Sequence, residues 1–230
     1  MAELSFDCVG GRAERYSAVP TVVLTLRVSE TSGQRVDAIA LRCQIRIEPH
    51  RRRYSDAEAR RLEDLFGQPS RWADTLKPLQ FTTLSVMVPG FSGSTEIDIP
   101  VMCGYDLEIA SAKYFNALDG GETPLLLLFS GTVFTTAEHR LSVQQVPWSK
   151  ETSYRLPASV WREAIDVHFP NSAWIRMSRE TLDALQRFKS SRALSTWDSV
   201  VSALLVDAAE PHPADSVPGE WRGAPGERRS

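Results

Sequence analysis

One apolar run, residues 125–134 with the sequence LLLLFSGTVF, limits what this chain can fold into more than any other stretch. It is far too short to cross a bilayer, and its Val, Thr and Phe content is typical of a strand that is buried on both faces. Gly121 and Pro124 bound it on one side, and a polar turn at residues 135–140 is predicted on the other. We therefore expect the central strand of a β-rich domain here.

Two earlier segments show the period of two that a strand with one buried face requires. Residues 22–28 alternate Val and Leu with Val, Thr and Arg, and residues 36–47 place Ile, Leu and Cys on one face and mainly polar residues on the other. Residues 29–35, which include Gly33, have the length of a hairpin connection. The pattern predicts a strand pair over residues 22–47.

The character of the sequence changes after Pro49, which ends the second of these strands. Ser55 and Glu58 have the spacing of a capping box, in which the hydroxyl and the carboxylate bind free amides at a helix start. Gly67 is well placed to end that helix in a left-handed conformation. We predict a helical insertion over residues 50–78 that lies across one end of a sheet.

Strand character returns at residues 79–88, breaks at Pro89 and Gly90, and returns at residues 95–101. Residues 105–118 fit either a strand or a helix, and we favour the strand because the neighbouring segments need antiparallel partners. A last strand is predicted at residues 141–147. The whole is mainly β with appended α: an antiparallel β-sandwich, immunoglobulin-like or a partly open barrel, with a helical insertion and C-terminal helices.

Helical signals dominate after residue 148. Pro157 suits a first helical position, and Ser178 and Thr196 are favourable N-caps for two more helices. From residue 207 onward Pro, Gly and charged residues remove all periodicity, which is typical of a disordered tail. These signals predict a sandwich at 1–148, a helical segment packed on it at 149–206, and a disordered tail at 207–230.

Composition argues against several classes of protein. A formal net charge of -3 and a sequence pI near 5.9 make a protein built chiefly to bind nucleic acid unlikely on bulk charge. The N-terminus has no secretory signal, and no apolar run is long enough to insert into a membrane. The three cysteines are widely spaced and odd in number, which fits reduced thiols and predicts a cytoplasmic protein.

No motif for catalysis, cofactor binding or metal ligation is present. The residues Cys8, Cys43 and Cys103 lack ligand spacing, and no histidine has a second ligand at i+3 or i+4. Paired carboxylates from Asp98, Asp106 and Glu108 are the remaining route to acid–base chemistry, although outward-facing strand acids are usually solvated. We assign no catalytic, cofactor or metal residue.

The strongest local charge signal is Arg51, Arg52 and Arg53, which follow His50 at the entry to the insertion. Guanidinium groups bind phosphates or the carboxylates of an acidic protein surface in a bidentate manner, so this run is a candidate binding patch. The alternative is a solvated helix entry whose arginines pair with the acidic residues of the same stretch.

Trp148, Tyr154, Arg155 and Trp161 form a second candidate set near the predicted start of the helical segment. Tryptophan, tyrosine and arginine together are typical of interface anchors. The alternative is that the rings attach the helical segment to the sandwich, because large aromatic side chains commonly serve to dock one element on another.

The segments described so far also carry a family resemblance. The chain resembles DUF6084, an actinobacterial family of unknown function, over residues 4 to about 206, most closely in LRCQIRIEP at 41–49, RRRYS at 51–55, LFG at 65–67, LFSGTVF at 128–134 and the 146–161 segment. The resemblance implies proteins that are encoded near uptake nickel-iron hydrogenases and have no established activity. It carries over no catalytic residue.

The sequence as a whole favours a non-enzymatic accessory or assembly protein that binds a protein partner. The resemblance implies that the partner is a hydrogenase subunit or a maturation factor. One alternative is an enzyme whose site is assembled from dispersed residues, which requires a deep pocket. The other is a phosphate or nucleic-acid binder that uses Arg51, Arg52 and Arg53.

Overall fold

The structure is a computed structural model, and it describes residues 2–103, 109–137, 140–170 and 177–209. The chain divides into two compact units, Met1–Ala173 and Trp174–Ser230. All strands found in the described residues belong to the first unit. They are β1 (Leu4–Ala13), β2 (Thr21–Glu30), β3 (Val36–Ile47), β4 (Leu79–Phe91), β5 (Ser94–Met102), β6 (Glu122–Ala137), β7 (Arg140–Gln145) and β8 (Glu151–Pro157).

The strands form two antiparallel sheets whose inner faces make one core. One sheet has the order β1-β2-β5, and the other has the order β4-β3-β6, with β7 and β8 both paired to the far side of β6. Phe6 of the first sheet stacks on Phe129 of the second with ring centroids 4.6 Å apart. The predicted mainly β, antiparallel architecture is confirmed, and the sheets do not close into a barrel.

Strand β6 is central, as residues 125–134 predict. It pairs with β3 along one side, while β7 and β8 follow one another along the other side. Its burial differs from the prediction, however, because only one face is fully covered. Leu125, Leu127 and Phe129 are buried, whereas Leu126 and Leu128 on the opposite face are half-buried.

The predicted pairing of residues 22–28 with residues 36–47 is wrong, although both segments are strands. Strand β2 pairs with β1 and β5, whereas β3 pairs with β4 and β6 in the other sheet. Each strand buries its apolar face, so the two face one another across the core. The alternation identified the buried faces correctly but carries no information about the hydrogen-bonded partner.

Strand β4 continues through Pro89 and Gly90, where a break was predicted. Proline is tolerated because β4 lies at the sheet edge and needs no ladder hydrogen bond on its outer side. Gly90 fits because a Cβ there would lie 2.8 Å from the Asp37 carbonyl oxygen. The short link after Phe91 then carries the chain into β5 of the other sheet.

The strand favoured for residues 105–118 is also wrong where it can be compared. Residues 109–117 form a helix, and residues 104–108, which include Asp106 and Glu108, lie outside the described residues. Tyr114 and Phe115 are buried from this helix. The local propensity for helix prevails because the five-stranded sheet already finds its partner for β6 in β7 and β8.

The helical insertion is confirmed and begins with the predicted capping box, whereas Gly67 combines a positive φ with an extended ψ of -170° and does not adopt the predicted left-handed conformation. The Ser55 hydroxyl accepts from the Glu58 amide at 3.2 Å while the Glu58 carboxylate accepts from the Ser55 amide at 3.0 Å, and Gly67 has a φ of 73°. The elements of the insertion are a 3-10 turn (Pro49–Arg51), α1 (Asp56–Arg61), α2 (Glu63–Phe66), a second 3-10 turn (Pro69–Arg71) and α3 (Trp72–Thr75). The helix at residues 109–117 that carries Tyr114 and Phe115 is α4 (Ile109–Ala117).

The segment predicted as helical from residue 149 begins with a strand, β8, which returns to the five-stranded sheet. Pro157 then precedes helix α5, and the N-caps predicted at Ser178 and Thr196 are confirmed by hydrogen bonds from Thr181 N and Ser199 N. The predicted tail beyond residue 209 lies outside the described residues. No helix in the described ranges is long and apolar enough to span a membrane. The C-terminal helices are α5 (Ala158–His168), α6 (Arg179–Ser191) and α7 (Trp197–Ala209).

Candidate protein-binding surface

Arg52, the middle member of the arginine run, is directed into the protein. Its side chain is 10% exposed and donates to the Glu58 carboxylate at 2.6 Å. It also donates to the carbonyl oxygens of Gly120 and Glu122 at 2.8 and 3.0 Å. Since its guanidinium is committed to these acceptors, Arg52 is unavailable to a phosphate or to an acidic partner.

Two further arginines bind the same loop between α4 and β6. Arg61 donates from Nε to the Ala117 carbonyl at 2.9 Å, and Arg162 of α5 donates to the Leu118 carbonyl. These carbonyls lie at the end of α4, where a helix leaves acceptors without intrahelical donors. The arginines therefore satisfy the backbone of this loop and hold it against the insertion and α5.

The neighbours of Arg52 differ from it. The Arg51 side chain is half exposed, lies 3.9 Å from the buried Glu48 carboxylate and donates to the Ser153 hydroxyl at 3.2 Å. Arg53 is exposed and forms no ion pair with any residue in the described ranges. The structure thus brings one arginine of the predicted patch to β8, buries the second, and leaves the third in solvent.

A shallow cleft of about 510 Å³ lies on the insertion. The Glu48 carboxylate is buried beside it and lies 3.5 Å from Nε2 of His50, which lines the cleft. Trp72 and Lys77 are further lining residues. The cleft thus has a histidine and a lysine in its lining and a carboxylate behind the histidine, a combination that sequence reasoning did not identify.

Trp161 is a core residue. It is 4% exposed, and its indole stacks on the Phe115 ring with centroids 4.4 Å apart and planes within 10°. Phe81 of β4 packs edge-on against the same indole at 6.3 Å. Trp161 therefore attaches α5 to α4 and to the end of the sandwich, and a partner has no access to it in this structure.

Trp148 has the opposite environment, with 91% of its surface exposed. It lies in a tight turn between β7 and β8, which the Lys150 amide closes by donating to the Pro147 carbonyl at 3.0 Å. Bonds from Val146 N to Gly131 O and from Phe129 N to Lys150 O fix both ends of the turn to β6. An anchored backbone thus presents a large apolar ring to solvent, which is typical of a binding anchor.

Tyr154 and Arg155 are neighbours on β8 but point to different sides of the sheet. Tyr154 is half-buried and packs beside Gly11 of β1, where an added Cβ would lie 3.2 Å from the tyrosine ring. Arg155 is exposed on the outer side, 4.0 Å from the Glu122 carboxylate. Only Arg155 of this pair is open to a partner.

The outer face of the five-stranded sheet is apolar at one end. Ala38 lies opposite Pro89 on one neighbouring strand and opposite Phe134 on the other, and Phe134 lies opposite Val143. These four residues form one row across four strands, and the strongly exposed Met87 lies in the next row. We call Ala38, Met87, Pro89, Phe134 and Val143 the apolar outer face. Sequence reasoning missed it because alanine and proline at outward positions gave no signal.

The three cysteine thiols are buried or half-buried and are not reactive groups. Burial raises the pKa of Cys43 and of Cys103 to about 12 and that of Cys8 to about 11, so all three are protonated near neutral pH. No group of three or more potential metal ligands occurs within the described ranges.

Asp98, one of the candidate acids for acid–base chemistry, is paired with Arg12. It accepts from the Arg12 guanidinium at 2.9 and 3.2 Å, which lowers the pKa of its carboxyl and keeps it ionised.

Comparison with known proteins gives one family. A family model described as "Family of unknown function (DUF6084)" matches residues 1–213. Comparison with curated proteins gives no match.

Solved structures offer only distant similarity. A β-glucosidase from Kluyveromyces marxianus is 14% identical with a TM-score of 0.23, over 67% of this chain and 15% of that chain. β-Glucosidase 3B from Thermotoga neapolitana in complex with α-D-glucose is 7% identical with a TM-score of 0.24, over 67% of this chain and 17% of that chain. The chain spans less than a fifth of these enzymes, and likeness at this level carries no argument about function.

Proposed function

The chain belongs to this family of unknown function, and from that premise we propose that it is a non-enzymatic accessory or assembly protein that binds a partner protein. The observation that carries the proposal is Trp148, an almost completely exposed indole on an anchored turn. Buried tryptophans are common in docking, whereas an exposed one on a fixed backbone is a preorganised contact.

The apolar outer face supplies the area that one tryptophan lacks. Met87 and Val143 are strongly exposed on it, and Phe134 is half-buried between them in the sheet. Contiguous apolar surface of this kind on a sheet is typical of protein contacts. Arg155 and Arg51 lie farther along the same sheet beside β8 and add positive charge at the rim, where it favours an acidic partner surface.

The partner that we propose is a hydrogenase subunit or a hydrogenase maturation factor, in the cytoplasm of an actinobacterium. This assignment is supported by the resemblance described above, which implies genes beside uptake nickel-iron hydrogenases. The geometry contributes the mode of binding: an apolar, preorganised surface suits a stable partner protein better than it suits a small substrate.

The first alternative, an enzyme, has one observation in its favour, the cleft beside Glu48 and His50. Its shallow form leaves a substrate largely in water, which weakens the electrostatic effects on which catalysis depends. The second alternative, phosphate or nucleic-acid binding, loses its central residue because Arg52 is buried. Both are therefore less favoured than partner binding.

The test is affinity capture from the native host at low and at high salt, with mass spectrometry of the proteins that co-purify. We expect hydrogenase subunits or maturation factors at both salt concentrations from the natural chain, and their loss with Trp148→Ala. Tyr16→Ala is the matched control, because Tyr16 is also an aromatic residue and is 96% exposed. Capture that is equal for both variants, or that yields only salt-labile nucleic acid, contradicts the proposal.

A further inference from the structure

Strand β7 leaves one side of its backbone without a partner in the described part of the chain, because it pairs with β6 alone. The Val146 amide donates to the Gly131 carbonyl at 2.9 Å, which places residue 146 among the positions directed toward β6. In an antiparallel ladder such positions alternate with positions directed outward. Leu141, Val143 and Gln145 therefore point their N–H and C=O groups away from the sheet.

The edge strands β5 and β4 carry features that oppose pairing with another chain. Strand β5 has Glu96, Asp98 and Pro100, and β4 has Pro89 on its open side. Charged residues and prolines at an edge are the usual means by which proteins prevent added strands. Strand β1 contacts β8 at Gly11, where an added Cβ would lie 2.8 Å from the Leu156 side chain.

Strand β7 has little of this protection. Its sequence is RLSVQQ, in which Arg140 at the first position is the single charge and no proline occurs. Five of its six residues are exposed, and the sixth, Gln144, turns its side chain inward to bond both backbone groups of Ala2 at 3.0 Å. This edge is therefore exposed and unpaired within the described part of the chain, which is the condition for strand addition.

We infer that a second copy of this chain pairs with β7 in the antiparallel direction, about a two-fold axis at Val143. Hydrogen-bonded pairs require residues that point outward on both strands. With the axis at Val143, that residue meets its own counterpart and Leu141 meets Gln145. All outward-directed groups of β7 are then satisfied by those of the other copy, so the edge is complementary to itself.

The side chains agree with this register. Val143 of one copy lies beside Val143 of the other, so the row that ends at Val143 continues into the same row of the second molecule. Arg140 lies opposite Val146 of the other copy, which keeps the two arginines at opposite ends of the strand pair. No like charges meet, and a β-branched pair occupies the centre.

A second copy is favoured over a strand from another protein because this register uses every outward-directed backbone group of β7. A different protein would need an edge strand with a matching pattern of outward-directed groups, and no feature of β7 selects such a strand. The contact is small, so we expect a reversible dimer with a dissociation constant of roughly 10–100 µM. The contact uses the backbone edge of β7, so Ala38, Met87, Pro89 and Phe134 of the apolar outer face stay on the outer side of the joined sheets, and Val143 is the one residue common to both surfaces.

The test is sedimentation velocity on the purified full chain over a concentration series that spans this range. We expect a monomer–dimer equilibrium for the natural chain. Val143→Lys should raise its dissociation constant at least about five-fold, because two ammonium groups then face each other across the axis. Val143→Glu has the same effect, whereas a mixture of the two variants forms a heterodimer. Met102→Lys is the matched control, because Met102 is an exposed apolar residue at the end of edge strand β5.

Three outcomes overturn the inference. One is a chain that remains monomeric throughout the concentration series, which leaves the β7 edge to another protein. Another is a dimer that Val143→Lys and Met102→Lys weaken equally, because it then uses a different surface. The third is failure of the mixed Lys and Glu variants to associate when each variant gives the circular dichroism spectrum of the natural chain, because residue 143 then does not meet itself.

Discussion

The guanidinium of Arg52 lies 2.6 Å from the carboxylate of Glu58, and both side chains are at least nine-tenths buried. Glu58 also caps α1 and accepts from the Asp119 amide at 2.9 Å, so the pair joins the insertion to the loop between α4 and β6. The arginine run at residues 51–53 looks like a binding patch in the sequence, but one of its members, Arg52, stabilises the contact between the insertion and the loop before β6. The consequences for stability are specific to Arg52.

Arg52→Ala is expected to lower the free energy of unfolding by about 3–5 kcal/mol, because it leaves the Glu58 carboxylate buried without its partner. Chemical unfolding in urea measures this change. Arg53→Ala is the control, since Arg53 is exposed and pairs with no residue in the described ranges, and it should change stability by less than about 0.5 kcal/mol. Equal effects of the two substitutions contradict the role given to Arg52.

Trp161→Ala is expected to cost about 3–5 kcal/mol of stability, because it removes the ring that stacks on Phe115 at the end of the core. Trp148→Ala should cost less than about 0.5 kcal/mol, because that ring is exposed. Thermal or urea unfolding distinguishes the two. A large loss of stability with Trp148→Ala shows that this side chain is structural and removes the basis of the proposed partner contact.

Gly131→Ala is expected to destabilise the protein by about 3 kcal/mol or more. Gly131 has a φ of 146°, and a Cβ there would lie 2.1 Å from the Ala40 carbonyl oxygen on β3. Gly120→Ala serves as the control because nothing lies within 4 Å of its added Cβ. If both variants unfold at the same denaturant concentration, the close approach of β6 to β3 at Gly131 is wrong.

The Glu30 carboxylate predicts a loss of stability in acid. It accepts from the Ser32 hydroxyl and from the amides of Glu3 and Ser32, and these bonds lower its pKa from 4.5 to about 2. A lowered pKa in the folded state means that the stabilisation is complete above pH 4.5 and is lost as the pH falls toward 2.

Unfolding of the natural chain and of Glu30→Gln at a series of pH values measures this contribution. We expect the stability difference between the two proteins to be largest near neutral pH and to shrink below pH 4.5. The glutamine keeps the shape of the side chain but not its charge, so it isolates the effect of ionisation. A difference that is constant down to pH 2 means that Glu30 is not ionised preferentially in the folded state.

The sequence predicted the strand and helix types well where a local rule decides them. The capping box at Ser55 and the caps at Ser178 and Thr196 are local hydrogen bonds between near neighbours, and all three are present. The central strand was also identified, because a dense apolar run needs cover whatever its neighbours are. Pairing depends on distant segments, which is why the assignment of β2 and β3 to one hairpin failed.

Strand β8 shows where the local signal is too weak, whereas at α4 the local helix propensity was correct and the expected need for antiparallel partners was wrong. Residues 151–157 have only Tyr154 and Leu156 as large apolar residues on one face, too little to predict a strand without its partner β6. Within the arginine run, neighbouring side chains differ completely in burial, and no pattern of residue types distinguishes Arg52 from Arg53. The sequence likewise does not show that Trp148 is exposed and Trp161 is buried, because that difference depends on the positions of the β7–β8 turn and of α5 in the fold.

Strand β6 bridges β3 on one side to β7 and β8 on the other, although β3 precedes it by about eighty residues. During synthesis β3 therefore leaves the ribosome long before its neighbour exists, and β8 follows later still. Contacts between such distant segments slow folding and leave apolar strands uncovered in the nascent chain. Recovery of this protein from expression should accordingly depend more on temperature and chaperone supply than the stability of its finished core suggests.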